Sequence, residues 1–390
     1  MNLKQGKNFS DPLIFPLYKP PGIGSTQFLS KFKRFLPKEA KKPGHFGTLD
    51  PFASGVLLVG TSGAMRLMNQ MHSFSKTYFA VGKIGVSTPS GDISDGPFEL
   101  DSSCREILPK VFKDLLHKDI IKTFEGQYMQ TPPSFSASKY QGKALYEWAR
   151  EKKVYIEKPP VERFIHDLEI KENSEIFPKS SVKYWQYFYE NFDSLCSDWQ
   201  NYPEVIFSAQ VSGGTYIRKL FEDFSRSLGT TGVLTHLLRS KVGEFSLYCS
   251  PHLTFPTHEV DFSQYIGQSV NFNQLATVDS VLSLISTESA TIGNLAVFDG
   301  RDSFEKLLTY GVCPSQFFNK IPVLQVSSSD AIRFCHGRPL QKSGRGAMRS
   351  GSVWVKDEAE NLLGLAEVNI DSGEVLAQII FSGPQKRVIG

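Results

Sequence analysis

Two short runs contain residues whose types and spacing could do chemistry. The first is Gly44-His45-Phe46-Gly47-Thr48-Leu49-Asp50-Pro51-Phe52-Ala53-Ser54-Gly55-Val56. Proline after Asp50 biases the aspartate toward extended backbone, and the glycines around it permit a sharp turn. Such a turn presents the carboxylate from a loop, where it is available for catalysis; the alternative is an Asx-type turn. The second run is Gly213-Gly214-Thr215-Tyr216-Ile217-Arg218, where a strand ends and a helix begins. Arg218 has Glu222 one helical turn later, and on sequence mechanics alone the two form a surface ion pair. The common alternatives are absent: the chain has no GxSxG, no HExxH, no GxxxxGK[ST], and no GxGxxG after a strand.

The elements that must position these runs follow from periodicity. Gly44 to Pro51 reads as a loop, followed by a strand at Val56 to Val59 and a helical pattern with Met65, Met68 and Met71 on one side. Tyr78 to Val86 reads as a strand, and Ile107, Leu108, Val111, Phe112, Leu115 and Leu116 have helical spacing. Val205, Phe207, Ala209 and Val211 alternate as a strand ahead of the Gly213-Gly214 break, and Ile217, Leu220, Phe221, Phe224 and Leu228 mark the next helix. With no regular βαβ rhythm, the pattern predicts an α+β fold. After a short helix capped within Ser327 to Asp330, the strand-like segments Ser352–Lys356, Leu362–Ile370 and Glu374–Phe381 predict a small β-rich C-terminal domain.

At 390 residues the chain has room for about two or three domains. Its formal charge is only +3, but Lys19 to His45 carries seven Lys/Arg against Glu39, a net of +6, and Val355 to Val375 nets −5. The basic run is either an anion-binding face or a solvated helix surface, since Phe28, Phe32 and Phe35 recur inside it at near-helical spacing. Five scattered cysteines without a CxxC predict neither a disulfide framework nor a zinc site and fit a reducing compartment. No apolar run approaches a membrane span, and Pro12 and Pro16 interrupt the N-terminal apolar patch, so a soluble cytoplasmic protein is expected. Six aromatics crowd Tyr184 to Phe192, either as a base-stacking surface or as packing for an insertion.

Five motifs in order resemble those of bacterial tRNA pseudouridine-55 synthases, the TruB family: Tyr18-Lys19-Pro20-Pro21-Gly22, the Gly44 to Pro51 run, Lys76-Thr77-Tyr78, Pro132 to Ala137 with Lys139 to Lys143, and Gly214 to Arg218. They cover roughly residues 15 to 245. The resemblance implies a pseudouridine-synthase catalytic domain, with a mixed, largely antiparallel sheet and flanking helices, over 1–250, including an insertion near 172–202. A connector with the end of that domain at 251–320 and a PUA-like RNA-binding domain at 321–390 follow.

By the same resemblance Asp50 is the nucleophile, Tyr78 stacks on the flipped base and is placed to move a proton, and Arg218 pairs with the aspartate. His45 helps displace the base, Tyr216 and Leu237 line the uridine pocket, and Lys19 with its basic run contacts phosphate. The implied reaction turns uridine-55 of the tRNA T loop into pseudouridine without cofactor or metal. The implied partner is the T-arm stem-loop, with no membrane and no protein partner, for a monomeric enzyme. The chemistry suits these residues: a carboxylate that must stay ionised in a closed pocket is favoured by a guanidinium that cannot readily lose its proton. Asp50 either attacks C1′ or assists departure of uracil through a glycal.

Three positions depart from the family pattern. Phe135 stands where many members have tyrosine, Leu238-Arg239 stands where paired arginines are common, and about Glu172 to Tyr202 is inserted. The PUA-like segment rests on Ser329 to Ile332 and Gly337 to Leu340, and its acidic stretch leaves a packing or solubility module as the alternative. A tRNA-folding chaperone with secondary or lost catalysis is the competing function. A uridine methyltransferase is disfavoured, because no cysteine nucleophile lies in either run.

Overall fold

Strands β1 (Leu13–Lys19) and β2 (Ser54–Thr61) have near-continuous apolar sequences, LIFPLYK and SGVLLVGT, and every residue of both is buried. Strands of that kind need cover on both faces of their sheet, and the fold supplies it. In this computed structural model of the chain, the described residues are 11–94 (save 39 and 41), 99–104 (save 103), 119–171, 202–247 and 307–381 (save 309 and 342–349). Short strands at 252–254, 260–261, 269–270 and 295–297 are also described.

Among the described residues the main sheet has eleven strands. Its central path adds β3 (Lys76–Ile84), β4 (Gly126–Gln130), β5 (Val161–Lys171), β6 (Glu204–Val211) and β7 (Gly232–Val242). They run in the order β1-β2-β7-β3-β6-β5-β4, and the strands His252–Thr254 and Leu295–Val297 extend the β1 edge. Pairing is antiparallel except for β2 with β7 and the two added edge pairs. The expected mixed, largely antiparallel α+β sheet is therefore present, and residues 252–254 and 295–297 continue it. Helices α1 (Ser25–Lys33), α2 (Met68–His72) and α3 (Ile217–Ser227) flank it.

Alternation along the strands sends side chains into two cores. Leu13, Phe15, Leu17, Leu57 and Val59 join Phe28 and Phe32 of α1 and Phe221 of α3. Ile14, Tyr18, Val56 and Leu58 point the other way, into a core they share with Trp354, Leu362, Leu365 and Phe381. Trp354, Leu362 and Leu365 belong to, and Phe381 directly follows, a five-stranded sheet of β8 (Val323–Gln325), β9 (Leu340–Gln341), β10 (Gly351–Lys356), β11 (Leu362–Asn369) and β12 (Glu374–Ile380), in the order β8-β10-β11-β12-β9. The expected C-terminal β module is thus welded to the main sheet. Trp354 is fully buried, stacks 6.1 Å from Phe381, and donates its indole N–H to Phe318 O. On its far face the same small sheet closes a core of its own around Phe334 of α4 (Ser328–Cys335), whose N-cap Ser327 accepts from the Asp330 amide.

Two of the sequence expectations are adjusted. Gly44–His45 is a two-residue strand paired to β2 at Gly60 and Val59, so the loop begins after it. The Met65 to Met71 pattern is a single 3₁₀ turn, Ala64–Leu67, followed by the five-residue α2. The helical pattern at Ile107 to Leu116 and the aromatic cluster at Tyr184 to Phe192 lie outside the described residues.

Candidate active site

The loop carrying Asp50 is held from both sides by residues distant in sequence. Ser25, at the start of α1, uses its hydroxyl to donate to Leu49 O and accept from Leu49 N, both at 2.8 Å. Gly22 N donates to Pro51 O at 2.7 Å. From β7, Arg239 reaches across β2, its Nε donating to Val56 O at 2.8 Å and its Nη1 to Thr48 O at 3.1 Å. Gly55 makes this possible. Its φ is +117°, and a Cβ there would lie 2.2 Å from Arg239 O, so only glycine fits.

Lys19 corrects an expectation. It is 0% exposed, and its ammonium donates to Pro20 O, Ile23 O and, at 3.4 Å, Pro51 O. Burial depresses its pKa well below the usual lysine value; Asp50 opposes that and Arg239 adds to it. An ammonium committed to three carbonyls inside the protein cannot contact a phosphate at the surface, so Lys19 braces the Asp50 loop instead.

Arg218 also differs from its sequence-mechanical reading. It lies on the buried face of α3, its side chain 3% exposed, and grips Asp50 as a fork, with Nε to Oδ2 at 2.9 Å and Nη2 to Oδ1 at 3.1 Å. Glu222 is taken by Lys219 and Arg226 instead. Nη2 also donates to Phe135 O at 2.8 Å and Nη1 to Ser90 O, while the Asp92 carboxylate lies 3.5 Å from Nη1. Burial opposes the charge on Arg218, but Asp50 and Asp92 outweigh it and hold the guanidinium pKa above its ordinary value. Asp92 is itself buried, which pushes its carboxyl pKa up against the pull of Arg218 and its bonds from Ser94.

Asp92 and Ser90 were missed by sequence reasoning. The only local sign is the polar Ser90-Gly91-Asp92-Ile93-Ser94 stretch after β3, which has no periodicity. Phe135, which lacks the tyrosine hydroxyl, contributes through its backbone carbonyl, so the substitution leaves this contact intact.

Asp50, with its side chain 31% exposed, opens onto a cleft of about 720 Å³ that His45, Tyr78, Tyr216, Leu237 and Arg239 also line. Six of the seven expected site residues thus meet in one place or directly support it, and Lys19 stands behind the loop. Tyr78 projects from β3 between Arg239 of β7 and Ala209 of β6. Gln130 of β4 locks the Tyr216 backbone, accepting from its N–H at 2.8 Å and donating to its carbonyl at 3.0 Å. His45 has its pKa lowered by burial and then by Arg239, and its Nδ1 is buried without a hydrogen-bond partner. The neutral imidazole on the cleft wall is suited to a ligand group that would complete its bonding.

A mixed sheet thus carries an aspartate–arginine pair at a cleft of about 720 Å³, and sequence comparison gives the family. The model of TruB family pseudouridylate synthases (N terminal domain) matches residues 33–189. A tRNA pseudouridine synthase B of Bordetella avium is 34% identical over 234 residues, covering 60% of this chain and 82% of that protein. The chain belongs to the TruB family. Its namesake from Halalkalibacterium halodurans is 29% identical over 306 residues, 78% of this chain and 86% of that one. The Thermosipho melanesiensis namesake is 34% identical over 231 residues, and there the match spans 59% of this chain and 64% of the relative's length.

Among solved structures, the archaeal box H/ACA sRNP Nop10-Cbf5 complex contains a chain matching 95% of this one and 86% of its own length. The TM-score is 0.51 at 18% identity, a likeness of fold. Among the described residues no helix is long and apolar enough to cross a membrane.

Proposed function

We propose that this protein isomerises uridine to pseudouridine in the T loop of tRNA, at uridine-55, acting on a flipped-out nucleotide held in the Asp50 cleft. The observation that carries the reading is the bidentate Asp50–Arg218 pair at the cleft floor, with the aspartate still partly open to it. Family membership supports the reaction class.

In this reading the N1–C1′ bond of uridine breaks and a C5–C1′ bond forms. The proton leaving C5 is balanced by one arriving at N1. Asp50, held by both oxygens in the Arg218 fork, either bonds C1′ or assists departure of uracil. Tyr78 lies against the base and is placed to move the C5 proton, while Tyr216 and Leu237 shape the pocket around it. His45 helps displace the base, since its unpartnered Nδ1 gains a bond once RNA enters. Extraction from the stack costs a few kcal/mol, which an aromatic face offsets in part. Residues 1–250 and part of 251–320 form the catalytic domain, and 321–390 a PUA-like module packed on its back. No step calls for a metal or cofactor.

The direct test is Asp50→Asn on a T-arm transcript, with pseudouridine mapped chemically. Turnover should vanish while RNA binding persists, and retained turnover refutes the assignment. Mapping total tRNA after treatment with the wild-type protein tests the position; modification outside the T loop refutes the specificity and keeps the reaction class.

A further inference from the structure

Beside the base pocket, the same cleft has a wall of basic side chains that the reaction does not use. Lys76, Arg163 and His72 line it together with Gly213 and Gly214. Lys76 donates to His72 O at 3.0 Å and Phe74 O at 2.7 Å, which leaves one of its three N–H groups uncommitted. Among the described residues neither Lys76 nor Arg163 is ion-paired.

Each of the two cations lies against one of the two glycines. A Cβ at Gly213 would overlap His72 O at 1.7 Å and stand 3.0 Å from Lys76 Nζ, and one at Gly214, where φ is +83°, would stand 3.2 Å from Arg163 Nη2. Side chains at either position would fill the space between the charges. Positive charge crowds this wall: the His72 pKa is lowered by burial, then by Lys76 and by Arg163, and that of Lys76 is lowered to about 8 by burial and then by Arg239. Like charges gathered around a turn without side chains are relieved by an anion, and an ammonium beside a guanidinium suits a phosphate oxygen pair.

The position of this wall relative to the base pocket is set by the strand. Lys76 and Tyr78 are two residues apart on β3 and face the same side, about 7 Å from each other. That is the span of a nucleoside from its base to its phosphate. We propose that Lys76, Arg163 and the Gly213-Gly214 turn, with His72 at the rim, form a seat for one phosphodiester directly flanking the flipped uridine. This rests on the RNA-modifying role proposed above. The seat fixes the sugar from the phosphate side while Asp50 works at C1′.

The test couples a protein change to a linkage change. T-arm stem-loops carrying a single neutral methylphosphonate are prepared at each linkage around the target uridine, and affinity is measured by filter binding for wild type, Arg163→Gln and Lys76→Met. One flanking linkage should weaken wild-type binding about tenfold when neutralised. Arg163→Gln should weaken binding to the natural RNA similarly, lower the salt slope by about 1, and be indifferent to that same neutral linkage. Lys76→Met, which keeps the buried stem, should behave alike, with a thermal melt showing that it folds.

Penalties that multiply at every linkage, or no flanking linkage that either variant masks, overturn the seat. Pseudouridine formation by the wild type is scored separately. A protein that shows the masked linkage but no turnover retains the seat and refutes the catalytic reading.

Discussion

Replacing Arg218 by lysine keeps the charge and removes the fork. The magnitude follows from what the guanidinium holds: two oxygens of Asp50 and the carbonyls of Ser90 and Phe135. A lysine ammonium carries its three N–H groups on one nitrogen where arginine spreads its donors over three, so from one position it reaches one Asp50 oxygen and one of the carbonyls on different sides of the fork. The lost bond to Asp50 is charge-assisted and is worth about 1.5–3 kcal/mol. Taken entirely from the barrier, that lowers the chemical rate about 10- to 150-fold at 1.36 kcal/mol per decade. The unpaired carbonyl is felt in stability, at about 1–3 kcal/mol.

The assay is single-turnover reaction of an RNA stem-loop tritiated at C5 of the target uridine, with enzyme saturating so that affinity does not enter. Label is released as the C5–C1′ bond displaces the C5 hydrogen. A thermal melt run in parallel separates slow chemistry from unfolding. A folded Arg218→Lys variant with the wild-type single-turnover rate would show that the fork does not hold Asp50 for reaction, and would refute the reasoning.

Other consequences concern the loop, the shared core and acid stability. Lys19→Met should slow turnover and lower the melting temperature, yet leave the salt dependence of RNA binding unchanged, because its ammonium is enclosed by Pro20, Ile23 and Pro51 carbonyls; a reduced salt slope would return Lys19 to the RNA face. Trp354→Ala empties part of the core joining both sheets and should cost about 3–5 kcal/mol, lowering one denaturation transition seen by every probe. Two independent transitions in the wild type would contradict a shared core. His236 is buried and its pKa is lowered to about 3, by burial first and then by Lys83, against about 6.5 in the unfolded chain. Its neutral burial contributes no loss above pH 6.5. As pH falls from there to 3 the unfolded state takes up a proton that the native state refuses, and about 4–5 kcal/mol of stability is lost. His236→Gln should flatten the stability–pH curve in that window relative to wild type, and parallel curves would refute it.

The local elements were legible because their signals are local. Val205 to Val211 alternates with period two and forms β6, Ile217 to Leu228 repeats with period 3.6 and forms α3, and Ser327 caps α4 as its side-chain chemistry predicts. Lys19 and Arg218 were not legible in the same way. Each has a plausible sequence neighbour or a basic context, and each is instead claimed by groups remote in sequence, Arg218 by an aspartate 168 residues away.

The sequence by itself determined the α+β class, the positions of the two chemical runs, and, through ordered motifs, the family to which the chain belongs. These depend on periodicity, on glycine and proline, and on residue order, all of which are properties of the chain before it folds. Only the tertiary structure decided that Arg218 faces Asp50 and not Glu222, that Asp92 stands behind it, that Lys19 is interior, and that the C-terminal sheet shares a core with the main one. Charge and burial at those positions are set by which strands lie side by side, and the order β2-β7-β3-β6 joins segments distant in sequence. A side chain's partner and its exposure therefore become fixed only when the sheet has closed around it.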